Sequence, residues 1–127
     1  MATDMADGDR FATKAVHSGT QHIGDAVNTP IFQSSTYKLT DERYAGWAAG
    51  AQHTLLYARL STVNSDAVAQ KLVAMEHGED AETFSSGMGA ISTTLLALLN
   101  QGDHMVASAD IYGGTYGLLT EEFPRFG

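Results

Sequence analysis

The sequence predicts an α/β protein in which an extended N-terminal arm precedes a sheet with crossover connections. Three observations carry that reading. Apolar residues from Phe11 to about Leu60 come singly or in pairs and hold neither a helical nor a strand period for long. Periodicity begins only after Arg59. From there the pattern alternates as helix, strand, helix, strand, loop, helix, the rhythm of a sheet built from crossover units.

The elements follow in order. Met1 to about Arg10 is polar and acidic and reads as a loose terminus. The stretch from Phe11 to Leu60 carries Val16, Ile23, Val27, Ile31, Phe32, Tyr37 and Leu39 among Ser, Thr, Gly and Asn. So many apolar residues without a period are expected in an arm packed on another surface, its own core or a neighbouring subunit. Between Ser65 and Glu76, Val68, Leu72 and Met75 form an amphipathic stripe. Ser65 is the expected N-cap, Asp66 lies in the first turn and Gly78 is the stop. Ala81 to Phe84 reads as a short strand, and Ser85-Ser86-Gly87-Met88-Gly89 opens a helix over about Met88 to Asn100. Gln101-Gly102-Asp103 ends that helix, Met105 to Ala107 reads as a buried strand, and Ile111 to Thr115 is a Gly-Gly loop. A third helical stretch near Tyr116 to Glu122 is closed by Pro124.

Composition narrows the function classes. Of 127 residues, 43% are hydrophobic and 17% charged, a globular balance. Length alone reads as one domain. The absence of Cys removes disulfides, thiolate metal sites and cysteine nucleophiles. With 7 basic against 15 acidic residues the formal charge is −8, and the cations are thinly spread, so no nucleic-acid partner is expected. No apolar run is long enough to span a bilayer, and MATDMADGDR is acidic where a signal peptide is basic and then apolar. A cytoplasmic protein without membrane association is the expectation. His17, His22, His53, His77 and His104 show no ligand spacing, so no metal site is expected.

Three short segments could carry chemistry, each weakly when taken alone. Phe84 to Gly89 sets small residues between a strand and a helix start, where backbone N–H groups and the helix dipole favour an anion such as phosphate. An ordinary serine-capped turn accounts for the same residues. In Tyr57-Ala58-Arg59 the guanidinium suits a bidentate grip on phosphate and the phenol adds a donor; a packed surface pair is the plainer reading. Asp110 to Tyr116 follows a strand, where ligands of open α/β sheets bind, and Tyr112 could stack on a planar ring. A β-turn with a packed tyrosine explains it equally well. Ser85 and Ser86 are not read as nucleophiles, because no G-x-S-x-G elbow and no placed His surround them.

The order and spacing of these segments resemble the N-terminal part of the Cys/Met-metabolism family of pyridoxal-phosphate enzymes. That family includes cystathionine γ-synthase, the cystathionine lyases, the homoserine-ester sulfhydrylases and methionine γ-lyase. The carriers in the arm are Ala15-Val16-His17-Ser18-Gly19 and the run Thr29 to Tyr37. Tyr57-Ala58-Arg59, Ser85 to Met88, Gly102-Asp103-His104, Tyr112 to Tyr116 and Phe123 to Gly127 complete them.

The resemblance implies an aspartate-aminotransferase-like, type I large domain with a mainly parallel sheet. Residues 1–60 would be an arm that clasps a neighbouring subunit, and residues 61–127 the first part of the cofactor domain. Pyridoxal 5'-phosphate is the implied cofactor. Gly87 and Met88 would meet its phosphate, Tyr57 and Arg59 would reach the phosphate of a neighbouring subunit's cofactor, and Tyr112 would stack on its ring and assist proton transfer. A homodimer or homotetramer acting on a sulfur-containing amino acid is implied.

Two departures stand out. The family's Asn-Pro-Thr after Tyr-x-Arg is Thr62-Val63-Asn64 here, and Gly114 stands where methionine γ-lyases usually carry cysteine. The latter favours the synthases, sulfhydrylases and cystathionine lyases. The family's Schiff-base lysine lies beyond Gly127, and Lys14, Lys38 and Lys71 fall outside its motif, so the chain alone is expected to be inactive. The competing expectation is a non-catalytic phosphate-ligand or subunit-interaction module derived from such an enzyme. A flavodoxin-like phosphate domain is disfavoured by the long irregular stretch before the first helix.

Overall fold

The computed structural model describes residues 10–51 and 54–127; the acidic residues 1–9, read above as a loose terminus, and His53 lie outside them. The chain forms two compact units, Met1–Thr83 and Phe84–Gly127.

The first unit holds three helices, α1 (Phe11–His17), α2 (Asp41–Ala48) and α3 (Val63–Glu76). Two of them interrupt the stretch expected to be an aperiodic arm, and both are too short for an apolar stripe to register. Local chemistry makes α2: Thr40 Oγ1 accepts from the Arg43 N–H at 3.3 Å, and Asp41 and Glu42 face the positive end of the dipole. Tyr44 and Trp47, neighbours on its surface, tilt against each other with ring centroids 6.0 Å apart. α1 is held by tertiary contact, since it packs on α3 and Lys71 Nζ donates to the Val16 carbonyl at 3.0 Å. Gly19, just beyond α1, sits at φ +70, and a Cβ there would run into the Ala67 carbonyl oxygen of α3.

The start of α3 corrects the expected cap. Thr62, not Ser65, is the N-cap: its Oγ1 accepts from the Ser65 N–H at 2.9 Å, while Ser65 Oγ accepts from the Thr62 N–H at 2.9 Å. This reciprocal capping box starts the helix without a proline. Thr62→Ala therefore lowers stability by about 1 kcal/mol, read as a lower thermal midpoint of the full-length protein. At the other end it is His77, one residue before the expected Gly78, that takes the left-handed conformation at φ 55.

The second unit holds α4 (Gly87–Leu98) and α5 (Gly113–Gly117), continued by a π-helical turn over Leu118–Glu122 and a 3-10 turn over Phe123–Phe126. Gly113 and Gly114, expected in a loop, begin α5. Pro124 lies in the first turn of the 3-10 segment, where its missing N–H leaves no helical bond unmade, so it does not end the helical run.

Residues 81–84 and 105–107, expected as strands, take no regular secondary structure, and no strand is formed among the described residues. A strand exists by pairing its N–H and C=O groups with a neighbour, and these segments have none among the described residues. Val106 is 87% exposed, and an apolar groove of about 430 Å³, lined by Leu95, Leu99, Met105, Ile111, Leu119 and Phe123, runs beside it. Among the described hydrophobic residues only Ala69 is buried. No helix among the described residues is long and apolar enough to cross a membrane.

Candidate functional site

The start of α4 has the chemistry of an anion seat. Ser86 Oγ is spent on the cap, accepting from the Gly89 N–H at 3.0 Å, and the Ser86 carbonyl accepts from the Ala90 N–H at 3.0 Å. The two amides between, Gly87 and Met88, have no acceptor among the described residues, and nothing stands within 4 Å of where a Gly87 Cβ would be. Two outward N–H groups at the positive end of a helix, with open space above, suit a phosphate.

Tyr112 is brought to the same place. It precedes α5, and its ring lies over Gly114, where a Cβ would fall 2.6 Å from Tyr112 Cε1 and 3.3 Å from Met88 Sδ. Thr115 Oγ1 reaches Met88 Sδ at 3.7 Å, so α4 and α5 meet through this cluster. Tyr112 is 72% exposed: its ring touches Gly114 in the first turn of α5 while most of it stays open to a ligand. A phosphate seat beside an accessible aromatic ring fits a flat, phosphorylated cofactor such as pyridoxal phosphate. Gly114→Ala swings the Tyr112 ring outward because the ring, not the backbone, is free to move. The expected result in the full-length protein is a weakened hold on pyridoxal phosphate with a thermal midpoint within about 2 °C of the parent, since the displaced group is on the surface.

Tyr57 and Arg59 belong to the first unit. Residues 35–37 lie antiparallel to residues 56–58, with Ala58 N–H donating to Ser35 O at 2.9 Å and Tyr37 N–H to Leu56 O at 3.1 Å around the Thr36–Tyr57 bridge. Behind the bridge the chain turns sharply, because the Leu60 and Ser61 N–H groups both donate to the Tyr57 carbonyl, at 2.8 and 3.2 Å. Arg59 rides on that turn with its Cζ 5.5 Å from the Tyr57 ring centroid. This cation–π contact steadies the guanidinium and leaves its N–H fork available to an anion.

The structure thus gathers Gly87, Met88 and Tyr112 in one unit and Tyr57 with Arg59 in the other. Thr115 and Asn64 were not singled out from the sequence. Thr115 lies within the Tyr-Gly-Gly-Thr segment, so its neighbourhood was marked although its contact with Met88 was not. Asn64 stood out only as part of the Thr62-Val63-Asn64 departure, and nothing in the sequence joins it to Pro30 and Phe32.

The family model of the Cys/Met metabolism PLP-dependent enzymes matches residues 12–127. An L-methionine gamma-lyase of Porphyromonas gingivalis is 39% identical over 119 residues, which are 92% of this chain and 30% of that protein. A cystathionine gamma-synthase of Mycobacterium tuberculosis is 38% identical over 117 residues, 91% of this chain and 29% of that protein. The chain therefore spans about a third of the length of these relatives. The crystal structure of metB from Corynebacterium glutamicum superposes with a TM-score of 0.80 at 29% identity, covering 95% of this chain and 30% of that one. A family match over nearly the whole chain, with the same fold in a solved relative, shows the family: the chain belongs to the Cys/Met metabolism PLP-dependent enzymes.

Proposed function

We propose that these residues form part of the cofactor site of an enzyme of sulfur amino-acid metabolism, one that eliminates or replaces a group at the β or γ carbon of its substrate. The observation that carries the reading is the meeting of Met88, Gly114 and Tyr112 at the start of α4. Bound pyridoxal phosphate supplies an electron sink for the carbon atoms of an amino-acid substrate. The chain's own residues do the rest. The Gly87 and Met88 amides hold the phosphate, and the helix dipole adds to that hold. Tyr112 would offer its exposed ring to the flat face of the cofactor, and its hydroxyl would hold or pass a proton next to the substrate. Tyr57 and Arg59 grip the phosphate of a neighbouring subunit's cofactor, so that the site is complete only in a homodimer or a homotetramer of such dimers.

In the same reading, residues 1–60 form the clasp between subunits and residues 61–127 the first part of the type I cofactor domain. The segments 81–84 and 105–107 join its mainly parallel sheet. A cytoplasmic location goes with this metabolic role. Of the lyase and synthase names among the relatives, Gly114 favours the synthase, sulfhydrylase and cystathionine lyase branch. The test is to add pyridoxal phosphate to the full-length protein and look for the visible absorption of bound cofactor, which borohydride should fix covalently to a lysine. No such absorption at saturating cofactor overturns the reading.

A further inference from the structure

The turn that carries Arg59 is braced by a side chain outside every segment singled out for chemistry. Asn64, in the first turn of α3, accepts from the Phe32 N–H at 2.8 Å through Oδ1 and donates to the Pro30 carbonyl at 2.9 Å through Nδ2. Its carboxamide thus acts as a peptide group would in a ladder, giving one donor and one acceptor to a single extended segment. Both bonds are partly buried, where competition from water is reduced.

The bonds close a circuit. The segment fastened by Asn64 at Pro30 and Phe32 runs on to Ser35 and Tyr37, which pair with Ala58 and Leu56 on either side of Tyr57. From Tyr57 the chain turns through Arg59 to Ser61, whose hydroxyl donates to Asp66 Oδ1 at 2.6 Å, and enters α3 at Thr62. Helix, arm and turn therefore hold one another at both ends of residues 30–37. Without Asn64, the arm keeps its bonds at residues 35–37 and loses those at residues 30–32. The surface against which the Tyr57–Arg59 turn is laid then loosens.

We infer that Asn64 is a positioning residue for the Tyr57–Arg59 anion grip, acting through the arm at Pro30 and Phe32. The inference rests on the proposed role of that pair in holding a phosphate. Asn64 stands within the Thr62-Val63-Asn64 departure. Asn is suited to the task by shape: Asp can accept from Phe32 but cannot donate to Pro30, and Ala can do neither.

The experiment measures, in the full-length protein, the dissociation constants of pyridoxal phosphate and of pyridoxal, which lacks the phosphate. Thermal midpoints of the cofactor-free protein are recorded alongside. Asn64→Ala is expected to raise the first constant about five- to tenfold, as for one or two hydrogen bonds acting indirectly, while the pyridoxal constant stays within about twofold. Asn64→Asp falls between, and it serves as the informative variant if the alanine protein does not fold. Thr62→Ala, which removes the helix cap but not the arm bonds, lowers the midpoint and leaves the ratio of the two constants unchanged. In the Arg59→Ala background, Asn64→Ala adds little further loss, since the group it positions is gone. Equal weakening of both ligands by the Asn64 variants, or full additivity with Arg59→Ala, overturns the inference. An unchanged ratio in Arg59→Ala itself instead overturns the phosphate role of the pair, so the two failures are told apart.

Discussion

Arg59→Ala raises the dissociation constant of pyridoxal phosphate from the full-length protein by about ten- to a hundredfold and leaves that of pyridoxal nearly unchanged. The size follows from the chemistry of the contact. A guanidinium offers two parallel N–H donors to a phosphate, and hydrogen bonds to charged groups are worth about 1.5–3 kcal/mol. Arg59 carries no competing ion pair among the described residues and is already steadied over the Tyr57 ring, so little ordering is needed when the anion arrives. Arg59→Lys keeps the charge and loses the fork, and its constant should fall between parent and alanine. Added salt weakens the parent more than the alanine variant, because the lost term is Coulombic. Equilibrium dialysis or fluorescence titration at two ionic strengths checks all three; equal affinity in parent and Arg59→Ala removes Arg59 from the site.

Tyr112→Phe separates the ring from its hydroxyl. The phenyl ring keeps its place over Gly114 and its face toward the ligand, so cofactor affinity changes less than about threefold, within the range of a lost exposed hydrogen bond. Turnover falls by about a hundredfold or more, the scale of removing a positioned proton carrier. Tyr112→Ala loses the stacking surface as well and weakens cofactor binding beyond the phenylalanine variant. Steady-state kinetics on an amino-acid substrate with cofactor titrations of both variants decides the matter. A phenylalanine variant with parental kcat removes the hydroxyl from the chemistry and leaves Tyr112 as a stacking platform.

The legible parts of this protein are those made by near neighbours in the chain. The spacing of Val68, Leu72 and Met75 announced α3, although Val68 and Leu72 are exposed and Ala69 is the residue it buries, and the small residues before Ile91 announced the start of α4. Cap and turn chemistry act within a few residues, so sequence reports them to within a residue or two. Even there, Thr62 displaced Ser65 as the cap because two hydroxyls can exchange bonds with each other's backbone, and only geometry tells which one leads. The short helices α1 and α2 were illegible for the opposite reason. Seven or eight residues carry too few turns for a stripe, and α1 leans on α3, far along the chain.

The strands show the other limit. Apolar residues at 105–107 mark a segment able to pair, yet pairing is a property of two segments, and this one meets an open groove. The candidate site divides in the same way. A cofactor role for Tyr57, Arg59, Gly87, Met88 and Tyr112 is what the family resemblance implies, and their segments could be marked from residue types, because phosphate and an aromatic ring demand donors, small residues and a flat face. That Tyr112 lies over Gly114 beside Met88, and that Asn64 holds the arm behind Arg59, could not. Met88 and Gly114, and Asn64 and the arm, are 26 or more positions apart, and a chain closes such distances only when it packs on itself.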